Sequence, residues 1–537
     1  MKSVMTHQFS RIPATDTPRS TFDRGHGLKT AFDSGYLVPI EVQEVLPGDE
    51  VNFDASFLAR LGPCVTPPMD NVFLDTQWFF VPSRLLWTNF TRMMGERVNP
   101  NDSIDFVVPQ IGSGSRGFAV GSLADYFGIP TNIANLSVNA LPFRAYAKIW
   151  DDWYRDENLQ NSIIQSSDDL GDSAGTIDWN TLKKRGKRHD YATSCLPWPQ
   201  KGEGVEIPIA GTAPVILQGD IPGASVPLTT GGGTDVEGFP ALLYRSNASG
   251  LGSPNLGIES QSGTVVSQVK SAEGTAGYHL RADLSEATSA TINSLRLAFQ
   301  LQKQLEADAR GGTRYCEILA NSFGTICPDA RLQRSEYLGG SSDRIVFAPI
   351  AQTSASGTDT AQGNLVSQGK CVCGCRWHKS FTEHGYIIGL ASVRCDLNYQ
   401  QGLDRMWSRK SRFDFFWPAL QCIGEQAVLN KEVYAQGTDD DEDVFGYQER
   451  YAEYRYNPSK ITGKMRSGIS GSLDVWHLAQ YFTTLPVLNG NFIEENPPLK
   501  RVLAVQDEPE IILDAYLGQK WTRGMMLYSV PGLIDHF

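Results

Sequence analysis

What this sequence lacks narrows it before anything else does. No apolar run in its 537 residues reaches the ~18–20 residues a membrane-crossing helix needs, so no span is expected. The opening MKSVMTHQFSRIP carries no apolar h-region, and no secretory leader is expected. The nine cysteines are odd in number and scattered, which argues for reduced thiols in a cytoplasm rather than a disulfide framework. A G-x-S-x-G elbow and an H-E-x-x-H pair are both missing, and the eight histidines follow no partner spacing. No catalytic residue, cofactor or metal site is expected. Basic residues are short as well: 47 Lys and Arg face 60 Asp and Glu, for a net charge of −13. So acidic a chain binds polyphosphate poorly by itself. Any nucleic acid it meets must be held by local basic patches or by a separate basic protein.

Present instead are 41% apolar residues, enough for a real core, with 51 glycines and 29 prolines punctuating many short apolar runs. The length implies two or three domains, or one with large insertions. Strands are expected at 35–42, followed by a turn at Leu46–Asp49, at 51–57 by alternation, and at 386–393. The run 72–82 is apolar on both faces towards its end and should be buried on both. A short amphipathic helix is expected at 141–159, through Phe143, Tyr146, Ile149, Trp150, Trp153 and Tyr154. A second, near 290–310, has its stripe on Ile292, Leu295, Phe299 and Leu305 and stops at Gly311-Gly312. From about 200 to 280 Gly, Ser, Thr, Ala and Pro dominate, as in a surface insertion of loops and short strands; 351–370 reads as a similar loop. Many strands, few helices and long insertions together suit an all-β sandwich or jelly roll.

Several constellations invite a functional reading. Cys371, Cys373 and Cys375 in CVCGC share one face of a strand, but the knuckle spacing of zinc sites and a second pair are missing, so packed thiols are expected. Gly112-Ser113-Gly114-Ser115-Arg116-Gly117 matches a dinucleotide pattern without its long following helix, and reads as a turn. Lys183, Lys184, Arg185, Lys187 and Arg188 put five cations within seven residues and are the candidate phosphate contact, against a solvated loop or subunit contact. The acidic run Asp439–Asp443 lacks the alternation of a calcium loop and reads as solvated. Tyr447, Arg450, Tyr451, Tyr454 and Arg455 interleave rings with charge. They suit a subunit interface or the rim of the core, and would also stack on unpaired bases.

A series of segments, in order from end to end, carries a family resemblance: HQFSRIP (7–13), FDRGHGLKTAFDSGYLVP (22–39), LPGD (46–49), MDNVFLDTQWFFVPSRLLW (69–87), WYRDENL (153–159), RGKRHDY (185–191), LPWPQKG (196–202), ARGGTRY (309–315), PDARLQRSEYLGG (328–340), FGYQERYAEYRYNPSKITGKMR (445–466) and PGLIDHF (531–537). The chain resembles the major capsid proteins of the microviruses, and among them the gokushovirus group. That resemblance implies an eight-stranded antiparallel jelly roll with long loop insertions and a few short helices. It implies sixty copies in a T=1 icosahedral shell around a circular single-stranded DNA genome. The expected layout is an N-terminal arm and first strand (1–50), a first part of the core (51–199), a variable insertion forming a threefold protrusion (200–280), and a second part of the core with the tail (281–537). Residues 1–35 and the tail are expected to lie across neighbouring subunits. The implied partners are other copies of itself, the single-stranded DNA, a small basic DNA-binding packaging protein, an internal scaffolding protein, a DNA pilot protein and a host surface receptor. Assembly in the bacterial host cytoplasm and residence in the virion follow. The rival reading is a secreted glycan-binding β-sandwich.

Overall fold

A computed structural model describes residues 18–164, 167–169, 181–205, 292–326, 333–354, 356–357 and 361–528, with the backbone of short strands at 172–173 and between 215 and 282. Eight strands build the core: β1 (His26–Phe32), β2 (Val38–Val45), β3 (Glu50–Leu61), β4 (Val72–Pro82), β5 (Glu336–Ala351), β6 (Leu365–Ser380), β7 (Gly385–Cys395) and β8 (Ile511–Arg523). All neighbours are antiparallel, in the order β1-β8-β3-β6-β5-β4-β7-β2. The long strand β5 turns the corner: its 336–345 part lies beside β4 and its 346–351 part beside β6. The sheet thus curls into two layers, β1-β8-β3-β6 and β5-β4-β7-β2, whose inner faces share one apolar cluster. Strands consecutive in the chain fall in opposite layers, save the β4/β5 pair, which lie side by side in one. This is the order of a jelly roll, so the expected all-β, eight-stranded fold is the one observed.

The two layers explain two hydropathy patterns. On β3 and β8 buried and exposed residues alternate, because only one face meets the core. Inside, Phe53 lies between Trp78, at 5.0 Å, and Trp377, stacked at 5.0 Å with rings 12° apart. Burying each such ring contributes roughly 1.5–3 kcal/mol. On β4 and β7 both faces are buried. Trp78 and Phe80 point inward; Phe79, Val81, Tyr386, Ile388 and Leu390 point outward against helix α1 (Leu141–Trp153). Pro142 opens that helix, where its missing N–H costs nothing. It stops at Trp153 rather than 159, because the Asp156 carboxylate takes the N–H groups of Asn158 and Leu159 into a tight turn.

Other expectations need correcting. The loop expected at 351–370 is shorter, since β5 runs to Ala351 and β6 starts at Leu365. Residues 20–32 are not a free arm: Ser20–Asp23 and β1 pair in succession with β8 of the same chain. The first 17 residues and the tail from 529 lie outside the described residues. Gly202–Leu305 is a separate compact unit. Within it Val215–Gly219 pairs with Ser225–Pro227 and Tyr278–Ala282, and Leu256–Gln261 pairs with Thr264–Val269. The rest of the 206–291 stretch lies outside the described residues. Helix α2 (Ile292–Arg310) ends at Gly311-Gly312 as expected, with Gly312 at φ +88°. Its Ile292, Leu295 and Phe299, however, are exposed rather than turned into a core. Between β7 and β8 the chain makes a small hairpin, Glu425–Leu429 with Val444–Glu449, and a string of short 3-10 turns. This region has its own apolar cluster around Val428, Phe445 and Phe492.

Trp78→Ala should lower the unfolding free energy by roughly 3–5 kcal/mol, since a fully buried indole leaves a cavity that the sheet cannot close. Val372→Ala, on the exposed face of β6, should change it by less than about 0.5 kcal/mol. Urea denaturation of the purified chain measures both.

Candidate assembly and nucleic-acid surfaces

The basic segment is built into the molecule rather than laid on it. Its backbone runs strand-like between two others: Leu37 N–H donates to Lys183 O and Arg185 N–H to Gly35 O, while Lys187 N–H donates to Ile493 O and Glu495 N–H to Arg185 O. This alternation sends Arg185 down onto the outer face of β4. There its Nη1 lies 2.5 Å from Asp75 Oδ2 and 2.7 Å from Ser392 Oγ on β7. Arg394 Nε reaches the same Asp75 oxygen at 2.9 Å, and the Ser342 hydroxyl of β5 donates to the other. Burial alone would raise the Asp75 carboxyl, yet Arg185, Ser342 and Arg394 hold it below the ordinary range. Arg185 is therefore an internal counter-ion, and its expected role at phosphate does not match its place.

Lys187 is also inside. Its Nζ donates to Gln480 Oε1 at 3.1 Å and sits 4.4 Å above the Phe492 ring. Burial pushes its ammonium down to about 8 against the pull of Glu495 and Asp190. Burial also raises Glu495, against the pull of Lys187. The remaining cations lie nearer the surface: Lys184 over the Tyr36 ring, Arg188 3.3 Å from Asp396, and Lys183 half-buried.

The tyrosine-rich segment divides similarly. Tyr447 exchanges backbone hydrogen bonds with Leu196, and Tyr451, at φ +64°, is buried with its hydroxyl on Phe415 O. Arg450 stacks over Tyr451. Tyr454 and Arg455 are exposed, Arg455 paired with Glu449. Tyr454 also borders a cavity of about 510 Å³ whose wall includes Tyr191, Arg405, Trp407, Tyr456 and Lys460. Tyr191 and Tyr456 stack there at 5.7 Å, 9° from parallel. Beside it runs a segment that reading the sequence passed over, 405–417 (RMWSRKSRFDFFW). Its signal was available: cations at 405, 409, 410 and 412 stand among rings at 407, 413 and 415–417.

The smaller motifs resolve into packing. Cys371, Cys373 and Cys375 face inward from β6, opposite Ala59, Phe57 and Ala55 of β3, and burial pushes the Cys375 thiol up to about 11. His378 points the other way, to Glu50 at 2.9 Å. In the glycine motif Gly117 has φ +79°, and a Cβ there would stand 2.4 Å from the Ile133 nitrogen; the helix that follows, Leu123–Tyr126, is one turn long. In the acidic run, Asp441 accepts the N–H groups of Gln436 and Gly437, and Glu442 pairs with Lys431 at 2.8 Å.

Comparison with known proteins gives a consistent result along the whole chain. The family model described as capsid protein (F protein) matches residues 10–533. Capsid protein VP1 of Bdellovibrio phage phiMH2K is 45% identical over 543 residues, covering 99% of this chain and 98% of that protein. Capsid protein VP1 of Chlamydia phage 1 is 41% identical over 594 residues, and that of Spiroplasma virus 4 is 37% identical over 561, each with the same coverage.

Arg185→Ala should destabilise the fold by roughly 3–5 kcal/mol, because it leaves a buried carboxylate short of its counter-ion. Lys184→Ser should cost much less. Lys187 adds a pH signature. Its folded pKa lies below the unfolded 10.5, so the unfolded chain binds more protons in between, and stability rises with pH from about 8 towards 10.5. In Lys187→Met that rise should be smaller, as read from denaturation midpoints across the window.

Proposed function

The chain belongs to the phage capsid protein (F protein) family, and from that premise we propose how it builds and fills its shell. It is a structural major capsid protein of the microvirus kind, and its place is the virion. The observation that carries this is end-to-end identity to capsid proteins, joined to a jelly-roll core. The rival glycan-binding sandwich gives way to it.

In this reading sixty copies close into a T=1 shell around circular single-stranded DNA, with no catalytic step. Moderate contacts repeated by symmetry let errors dissociate, while closure supplies stability through multiplicity. Together with the strands at 26–32 and 38–45, the core is assigned to 51–199 and 281–537, and 200–280 to the threefold protrusion that meets the host receptor. The compact separation of Gly202–Leu305 supports the second assignment. Residues 1–17 and the tail reach across to neighbours, and Tyr454 and Arg455 offer exposed surface for such contacts. Lys183, Lys184 and Arg188 are the part of the basic segment near enough the surface to meet phosphate. On a chain of net charge −13, a small basic packaging protein carries most of the charge neutralisation. The internal scaffolding and DNA pilot proteins join during assembly in the host cytoplasm.

Negative-stain microscopy of the purified full-length chain or virion should show small icosahedral particles; a uniformly monomeric protein would overturn the shell. Deleting residues 1–17 should leave the subunit's melting transition in place but abolish particles. Changing Lys183, Lys184 and Arg188 to Ser should lower the DNA content per particle, read from the ratio of absorbance at 260 and 280 nm. Unchanged packaging returns the segment to a purely structural role.

A further inference from the structure

Residues 410–419 form ten consecutive exposed positions, yet they include Phe413, Phe415, Phe416 and Trp417. Trp407 just before them is 70% exposed. Rings in such number on an ordered, outward-facing segment signal a partner. The segment is held in shape without burying them. The Asp414 carboxylate accepts the N–H groups of Lys410 and Ser411, at 2.8 and 2.6 Å, and Trp417 Nε1 donates to Arg412 O at 3.0 Å. Phe416 is braced edge-on by Tyr451 at 5.1 Å.

The charge in this segment is opposite to that of the chain. From 405 to 417 there are four cations and one carboxylate, in a protein of net −13. Arg405 and Arg409 lean on Glu432 and Glu453. Lys410 and Arg412 are exposed; Lys410 lies 3.8 Å from the exposed Glu442, and the Arg412 guanidinium lies 4.6 Å over the Trp417 ring, forming a flat cationic platform. Across the adjoining cavity Lys460 pairs with Asp404 at 2.6 Å, and Lys464 lies further along the chain.

We propose that the 405–417 segment, with the adjoining cavity, is a binding surface for single-stranded DNA, on which unpaired bases stack on Trp407, Phe413 and Trp417 while Lys410 and Arg412 meet phosphates. Flat exposed rings select unpaired bases, because the faces of duplex bases are already covered. Rings at 407, 413 and 415–417 stand beside cations at 409, 410 and 412, so bases and phosphates of one strand can be met together. The inference deepens the shell reading and rests on it for the identity of the nucleic acid.

The test uses the purified full-length chain and a fluorescein-labelled oligodeoxythymidylate. Binding should quench tryptophan fluorescence and weaken with salt. Trp407→Ala and Trp417→Ala should each reduce affinity by roughly tenfold or more, and Trp417→Phe should restore most of it. Arg412→Gln should make the log–log salt dependence shallower by about 0.7, the share of one phosphate on a single strand. Arg412 is exposed, so that variant still decides the matter should a tryptophan variant fail to fold. Unaltered affinity and salt slope would overturn the proposal. Lost particles with oligonucleotide binding intact would also overturn it, assigning the rings to a second copy. Particles from the unaltered chain are scored separately by microscopy, so failure of the DNA surface and failure of the shell reading give different results.

Discussion

Asp75 sets the constraint on which much of the structure depends. It lies in the middle of β4 on the face that points away from the barrel interior, directly opposite Ser342 on one neighbour and Ser392 on the other. A carboxylate there is almost wholly buried, and an uncompensated charge at such a site would be prohibitive. Arg394 from β7 supplies one counter-ion, and Arg185 supplies another from more than a hundred residues along the chain. To deliver it, the basic segment has to thread between 35–37 and 493–495. The long excursions from β4 to β5 and from β7 to β8 are thereby sewn to the barrel at one point. The pairing is a weak source of net stability but a strong source of specificity, since removing either partner strands the other.

The two layers of the jelly roll carry different burdens. The β1-β8-β3-β6 layer has one apolar face, and its outer side carries surface pairs such as Arg376 with Asp54 and His378 with Glu50. The β5-β4-β7-β2 layer is the middle of a sandwich, with the barrel core on one side and α1 on the other. Tyr146 ties the helix in: its hydroxyl donates to Leu37 O and accepts from Lys183 N–H. Burial makes this phenol a poor acid, so the junction stays neutral. The basic segment, the helix and strand β2 thus form one continuous support.

A shell subunit works through its surfaces, and the structure separates residues that hold the subunit together from those available to others. Charge density in the sequence did not make that distinction. The densest basic run turned inward at Arg185 and Lys187, because strand-like alternation between two neighbours sends every second side chain down. The tyrosine-rich run likewise gave Tyr451 to the interior and kept Tyr454 outside. The 405–417 segment, with fewer cations per residue, turns Arg405 and Arg409 to Glu432 and Glu453 but keeps its rings, Lys410 and Arg412 outside, since a string of short turns offers no second layer to cover them.

From the sequence alone came the strand-rich class, the positions of β3, β4 and β7, helix α1 and the end of α2, and the family. All of these rest on local periodicity or on contiguous motifs, which are properties of neighbours in the chain. The resemblance also carried the eight-stranded jelly roll, which periodicity left open between sandwich and jelly roll. Tertiary structure alone decided what depends on distant partners. It paired residues 20–32 with β8, some 490 residues away, where an arm had been expected. It carried β5 and β6 into what read as a loop, because each had a strand to lie against. It also determined which cations face a carboxylate and which face solvent. A charge is the same letter in either setting, and only the surrounding dielectric and the partner across the gap tell the two apart.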